Sequence, residues 1–541
     1  MKKIFVTVGL FSLFLAQAHA QETYENTKLV DTDLNGTARY VGMGGALEAL
    51  GADISTVSSN PAGIALFRHS QANVSFGMVA QDGAQSFTYG NKTNASFDQA
   101  GFVYAHRGGD VTFWNFAVNY HKSRNFDYIL TAADHLNGAS QNTLSFIKAL
   151  GNRDKDGYTN VNIESTTRGF RGTNYYTSQL DNLYYNALMY SSTDGFAYNA
   201  ASGYVFGRAN TGYIGQYDFN MSANVNDRFY IGFTVGVHDV HYRGQALYTE
   251  HLVDAADNTA GDVTVADERR ITGTGFNASV GIIVRPVEAS PFRMGFYVKT
   301  PTWYDLTTRN NTYLINNSIY EGSYPKYTAS ESYDFKVFTP WTFGVSLGHT
   351  VGKMVALGAT YEYADYGSMD TRVNDDGGYM DEWGDVYRSS HSDREMNRHT
   401  EQTLKGVSTF KVGAEVKVLP TVAVRVGYNY VSPMFRSNGF KDGSVDSYGS
   451  NYSSATDYTN WKSTNRLTAG VGCTLGKLSL DLAYQYSQTD GDFHPFADAY
   501  STYYIQGTDN KPEAVKIDNV ASATKVSNKR NQLLFTIGYT F

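Results

Sequence analysis

Residues 39–67 read RYVGMGGALEALGADISTVSSNPAGIALF, and they match neither the apolar segment near the start of the chain nor the alternating segments after them. Glycines at Gly42, Gly44, Gly45 and Gly51 permit close backbone approach and positive φ. Met43, Leu47 and Leu50 stand at roughly helical spacing. Asp53 suits the cap of a short turn, and Pro61 after Asn60 suits the first position of another, within Asn60-Pro61-Ala62-Gly63. The stretch reads as a compact, partly helical plug packed against a curved surface.

Outward from it, the chain divides into residues 1–20, 21–70 and 71–541. Lys2 and Lys3, the apolar run Ile4 to Ala16, and Ala18-His19-Ala20 before Gln21 predict a cleaved secretory signal. Gln21 to Ala38 reads as a polar leader running into the plug. The 541 residues include 52 Gly, 42 Tyr and 31 Phe, with charged residues at 18%, a balance that favours strands and turns. One cysteine, Cys473, excludes an internal disulfide framework and a Cys-rich zinc site. The net charge of −8 argues against a nucleic-acid partner.

From residue 71 onward the period is two. Phe229, Ile231, Phe233, Val235 and Val237 share one face; Tyr230, Gly232, Thr234, Gly236 and His238 share the other. The last strand aligns Leu533, Phe535, Ile537, Tyr539 and Phe541. Alternation alone fits a sandwich or a barrel. Loop parity separates them. Strands are predicted at 71–80, 97–107, 111–122, 212–225, 228–249, 269–285, 292–313, 331–350, 353–372, 401–418, 421–432, 462–476, 477–490 and 531–541. Their connections alternate strictly between short turns, such as Asn226-Asp227, and long loops at 123–211, 373–400 and 491–530. That predicts an all-β fold: an antiparallel transmembrane β-barrel of about 14 strands with short turns at one end. An even count also closes the sheet without an edge, as lipid demands. Two amphipathic helices are predicted in the longest loop, near Thr143 to Leu150 and Ser178 to Tyr190.

The run GMGGA..AL..D.S....NPAG resembles the N-terminal hatch of the FadL/TodX (OMPP1) outer-membrane transporters. The resemblance implies a hatch inside the barrel lumen, with Gly42, Gly44, Gly45, Asp53, Asn60, Pro61, Ala62 and Gly63 as gating residues. It implies uptake of hydrophobic compounds, of the long-chain fatty acid or aromatic hydrocarbon class, by passive hatch-gated transport across the outer membrane. A path sideways through the wall into lipid comes from the resemblance alone. The alternating last strand ending in Phe541 resembles the signal read by the outer-membrane barrel assembly machinery.

For a carboxylate ligand, inward-facing Arg293, Lys299, Arg425 and Arg466 are the candidate partners. Each competes with a lumen salt bridge to Glu362, Glu415 or Asp481. No catalytic constellation is found, and no cofactor or metal is assigned. The acidic loop with Asp375, Asp376, Asp381, Glu382 and Asp385 lacks the order of a calcium loop. His106, His121, His238 and His241 have no ligand spacing. Two other functions remain: the resemblance to FadL-like barrels, with the large loops, also allows an accessory or cargo carrier in protein secretion, and the histidines allow a haem uptake receptor.

Overall fold

The computed structural model describes residues 21–541 except 110–111, 151–162, 167–168, 173–177, 192–194, 197, 255, 321–324, 381–385, 444 and 507–511. The predicted signal at 1–20, and Asp381, Glu382 and Asp385 of the acidic loop, lie outside the described residues. The wall is a closed antiparallel barrel of 14 strands.

The first strands are β1 (Gln71–Asp82), β2 (Thr93–Arg107), β3 (Phe113–Asn125, continued by Tyr128–His135) and β4 (Ala200–Val225). Next come β5 (Phe229–Val253), β6 (Thr259–Val284), β7 (Arg293–Lys299, continued by Trp303–Ser318) and β8 (Lys326–Phe338, continued by Thr342–Val351). β9 is Val355–Asp365, continued by Asp370–Met380, and β10 is Gly406–Leu419. The last four are β11 (Val422–Val431), β12 (Tyr458–Leu475), β13 (Leu478–His494) and β14 (Thr524–Thr540). β14 returns to β1 from Gln71↔Thr540 to Asp82↔Lys529, so the sheet has no free seam.

The outward face explains why this closure holds in lipid. Phe229, Ile231 and Phe233 are 46%, 49% and 47% exposed, while Tyr230 and Gly232 between them are buried. Cross-strand neighbours continue the same apolar belt. In water such a belt is an aggregation site; in a membrane it is the solvent-matched surface. Cys473 faces the same way as exposed Leu467, Val471 and Leu475.

Three predictions of strand continuity are corrected, one of them β9, expected unbroken over 353–372 but interrupted by a 3-10 turn at Tyr366–Ser368. β7 and β8, expected to run unbroken over 292–313 and 331–350, each break at a proline. Pro301 and Pro340 have no N–H for the ladder. The breaks face each other and are bridged from Thr302 N to Thr339 Oγ1 (2.8 Å) and from Thr339 N to Thr302 O (3.1 Å). The strand expected at 401–418 begins instead as helix α5 (Arg394–Thr403) ahead of β10.

β4, β5 and β6 hold 26, 25 and 26 residues, more than twice the ~10 a tilted strand needs to cross a bilayer. Their excess stands beyond the membrane at the end opposite the short turns. There it supports a second apolar core shared with α3 (Gln141–Leu150) and α4 (Gln179–Tyr184), including Leu144, Ile147, Leu183, Phe206 and Phe493. These helices fall where the amphipathic spacing placed them.

The leader forms helix α1 (Thr23–Val30) deep in the lumen, and α2 (Ala38–Gly42) begins the hatch. From Gln21 at the cap end, opposite the short turns, where the Tyr333 hydroxyl donates to Gln21 Oε1 (2.5 Å), runs the segment that forms the hatch. It descends to the turn end, where Arg68 pairs with Asp227, and there becomes β1.

Candidate functional site

The hatch folds by its own capping groups. Asp53 caps the 3-10 turn Ile54–Ser58, accepting from Ser55 N (3.0 Å) and from Thr37 Oγ1 (2.9 Å). Asn60 caps the next turn, Pro61–Leu66, its Oδ1 accepting from Ala62 N at 3.1 Å. Gly44 and Gly45 take φ of +64° and +80°, which other residues strain to adopt.

What seats this fold is a track of lumen-facing glycines in the wall. A Cβ at Gly281 would overlap the Asn60 carboxamide, and one at Gly232 would overlap Pro61. At Gly358 it would meet Ala46 O, and at Gly413 and Gly427 the Met43–Gly44 backbone. Gly42 lies on Gly470, Ala62 is fully buried, and Gly63 leaves room for the Thr56 hydroxyl. The hatch therefore lies directly on strand backbone across six strands of the wall.

Buried charges fasten it. Glu48 of the hatch, with no exposure, pairs with Lys411 of β10 at 2.9 Å. It also accepts from Thr360 (2.7 Å) and the Tyr40 hydroxyl (3.2 Å). Arg39 reaches Glu415 (3.1 Å), which Arg425 also holds (2.6 Å), while Arg425 binds Asp481 at 2.5 Å. Such pairs are fully hydrogen-bonded, so removing one member costs more than the pair contributes.

Above the hatch lies a cavity of about 380 Å³. Of the four candidate cations, Lys299 and Arg466 line it; Arg293 and Arg425 do not. Lys299 stands 3.6 Å from Glu362, and Arg466 donates to Asn429 (2.9 Å). Arg293 donates instead to Leu50 O under the hatch (3.1 Å). The lining is more polar than a hydrophobic ligand alone requires. The lumen's large apolar side chains pack on one another and on α1, whose Tyr24 stacks on Phe435 at 5.2 Å. His238 lines this cavity while His241 points outward to Asp239, so the two histidines do not converge.

The reading of single residues missed the leader's part in this site. Asp31 and Asp33 bind Arg124 (2.6 and 3.4 Å), and Arg269 clasps Glu25 (2.8 Å). The partners lie on distant strands, and only the polar character of the leader hinted at them.

Beside the cavity the wall parts. β2 and β3 pair from Arg107↔Phe113 only as far as Gln99↔His121. Beyond that point β2 continues to Thr93 against β1 alone, and β3 to Asn125 against β4 alone. Both strands bulge where they separate, β2 at Asp98 against β1 and β3 between Lys122 and Arg124. The lumen side is latched by polar groups. Lys122 Nζ donates to Ser96 Oγ (2.6 Å), and Asn35 Nδ2 donates to Asp98 Oδ1 (2.9 Å) and Lys122 O (3.0 Å). Asp33 N donates to Ser123 O (2.9 Å), giving the open edge of β3 a partner. The lipid side is aromatic: Phe97 stacks on Tyr120 at 5.5 Å, and Tyr120 meets Tyr217 at 5.1 Å.

No protein-family model and no curated protein matches the chain. Among solved structures, the Ralstonia pickettii toluene transporter TbuX is similar at 12% identity and a TM-score of 0.46, covering 94% of this chain and 99% of that one. A Pseudomonas aeruginosa FadL homologue gives the same four values. The Pseudomonas putida toluene transporter TodX gives 11% and 0.47 over the same shares. The register and contacts described above do not depend on these distant likenesses. On its own geometry the chain has the hatch-in-barrel fold that its Asn-Pro-Ala-Gly segment resembles in the FadL/TodX transporters.

Proposed function

We propose that this protein is an outer-membrane channel for passive uptake of hydrophobic small molecules, of the long-chain fatty acid or aromatic hydrocarbon class. The observation that carries the reading is the cavity beside a parted wall, polar on its lumen side and aromatic on its lipid side. A compound in the cavity is oriented by Arg466 or Lys299 if it has an anionic end. It leaves when Asn35 and the Lys122–Ser96 bond give way, passing between Phe97 and Tyr120 into the bilayer. The hatch, with Asn60-Pro61-Ala62-Gly63 at its lower end, keeps the lumen shut to water and shifts as the leader moves. The process needs no energy input, because apolar surface goes from water to lipid at a gain of roughly 25 cal/mol per Å².

Ser96→Trp fills the opening from the lumen side. Uptake of labelled fatty acid or toluene into vesicles carrying this variant should fall about tenfold, with the heat-sensitive gel mobility of a folded barrel retained. Unchanged uptake by a folded Ser96→Trp barrel sinks the reading.

A further inference from the structure

Three arginines stand side by side on the outside of the barrel. Arg243 of β5 is the register partner of Arg270 of β6, and Arg270 is the partner of Arg309 of β7. All three are exposed on the outward face, with the Arg243 and Arg270 side chains at 45% and 57%. Like charges placed directly opposite on adjacent strands repel. Among the described residues only Glu268 offsets them, a single oxygen accepting from Arg243 (3.0 Å) and Arg270 (2.9 Å). Arg309 has no ion pair among the described residues. Neighbouring acids on this face are already engaged: Asp305 by Lys336 (3.2 Å), Asp334 by the Thr307 hydroxyl (2.7 Å) and Asp239 by His241 (2.9 Å). The row keeps a net positive charge across three strands, a width of about 10 Å.

Its height selects the ligand. Val237, Phe276 and Trp303 form another register row, the last apolar row before the polar upper wall, with Phe276 stacked on Trp303. Each arginine comes six residues beyond the apolar residue on its own strand. Six residues span about 20 Å of strand, or roughly 15 Å of height at barrel tilt. A phospholipid headgroup zone is only about 6 Å deep on each side of the hydrocarbon. A glycolipid whose phosphates are carried on sugars extends to that level; a phospholipid does not.

We propose that Arg243, Arg270 and Arg309 bind the sugar-phosphate headgroup of an anionic outer-leaflet glycolipid. The guanidinium planes offer paired donors to phosphate oxygens, and Glu268 holds two of them splayed. The site sits outside the wall and is independent of the transport path.

The test uses the full-length barrel in nanodiscs of phosphatidylcholine with rough lipopolysaccharide bearing a phosphorylated inner core. Nanodiscs with the same glycolipid after dephosphorylation, or with phosphatidylglycerol, serve for comparison. Bound lipid per barrel is counted by native mass spectrometry after detergent exchange. The phosphorylated glycolipid should be retained about tenfold better than either comparison lipid, and R243Q/R270Q/R309Q should abolish the preference. K353Q/K417Q/K477Q removes equal charge from the turns at the opposite end and should leave it intact. Retention of phosphatidylglycerol to the same degree overturns the glycolipid assignment. So does a preference that survives in the folded triple-arginine variant, or one that the turn variant loses equally. Inorganic phosphate at the same concentration should not displace the glycolipid; displacement would make the row a free-anion site instead.

Discussion

Lys411 is the residue on which the hatch's attachment turns most sharply. Its ammonium is the cation that neutralises Glu48, and the carboxylate has no route to water. Lys411→Met leaves that charge buried at a cost of about 3–5 kcal/mol, against about 1 kcal/mol for an ordinary hydrogen bond. The hatch should therefore loosen, and single-channel conductance in planar bilayers should rise from near closed. Adding Glu48→Gln should return most of the closure, because the neutral amide keeps Thr360 and Tyr40 as partners. A quiet, closed Lys411→Met channel would show that the pair is not what holds the hatch. Gly281→Val is the steric counterpart: its side chain occupies the space of Asn60, so it should open the channel while every charge stays in place.

Among the elements, the cap helices respond to acid. Asp181 opens α4 with a capping box on Ser178 and joins it to α3 through Lys148 (2.9 Å) and Ser145 (2.6 Å). Burial raises its pKa, but the Lys148 ammonium and these hydrogen bonds outweigh that and hold it below the ordinary aspartate value. A depressed carboxyl contributes stability above its unfolded pKa, and that contribution is lost as pH falls through the folded value. The α3–α4 contact should thus persist from pH 7 to 5 and weaken only below about pH 3.9. Hydrogen exchange across Leu144 to Lys148, corrected for intrinsic rate, measures this. Asp181→Asn should exchange faster at neutral pH and show no added loss on acidification. The helices themselves were legible as amphipathic runs, because they bury one face as any surface helix does. The breaks in β7 and β8 were written in the sequence too, as Pro301 and Pro340, but the alternation on either side masked them. Strand tops such as Ala200 to Thr211 gave no such signal, since there the cap covers what would be a solvent face.

At the scale of the whole molecule, the barrel was legible because lipid makes one rule for every strand. Residues such as Phe229 and Leu467 had to point outward, and loop parity followed from the wall's up-and-down path. The parted wall was not legible. It depends on where β2 stops pairing with β3, and nothing in the alternation of either strand changes at Gln99 or His121. The position of α1 was equally hidden, for a polar leader with Glu25 and Lys28 is stable in a lumen only because Arg269 and its neighbours are there. Removing residues 21–37 should leave a folded barrel, read by heat-sensitive mobility, with a measurably higher conductance than the full chain. A variant that failed to fold would mean the leader is part of the wall's core.

The route of the chain also dictates an order of construction. Gln21 lies at the cap end, the hatch descends the whole lumen, and only then does β1 start, to be sealed at last by β14 along Gln71↔Thr540. A finished cylinder offers no way to thread that segment in from either mouth past Arg39, Arg124 and the wall glycines. The seam must therefore zip around a plug already folded back, so that the segment ahead of β1 is enclosed by strands that follow it in the chain.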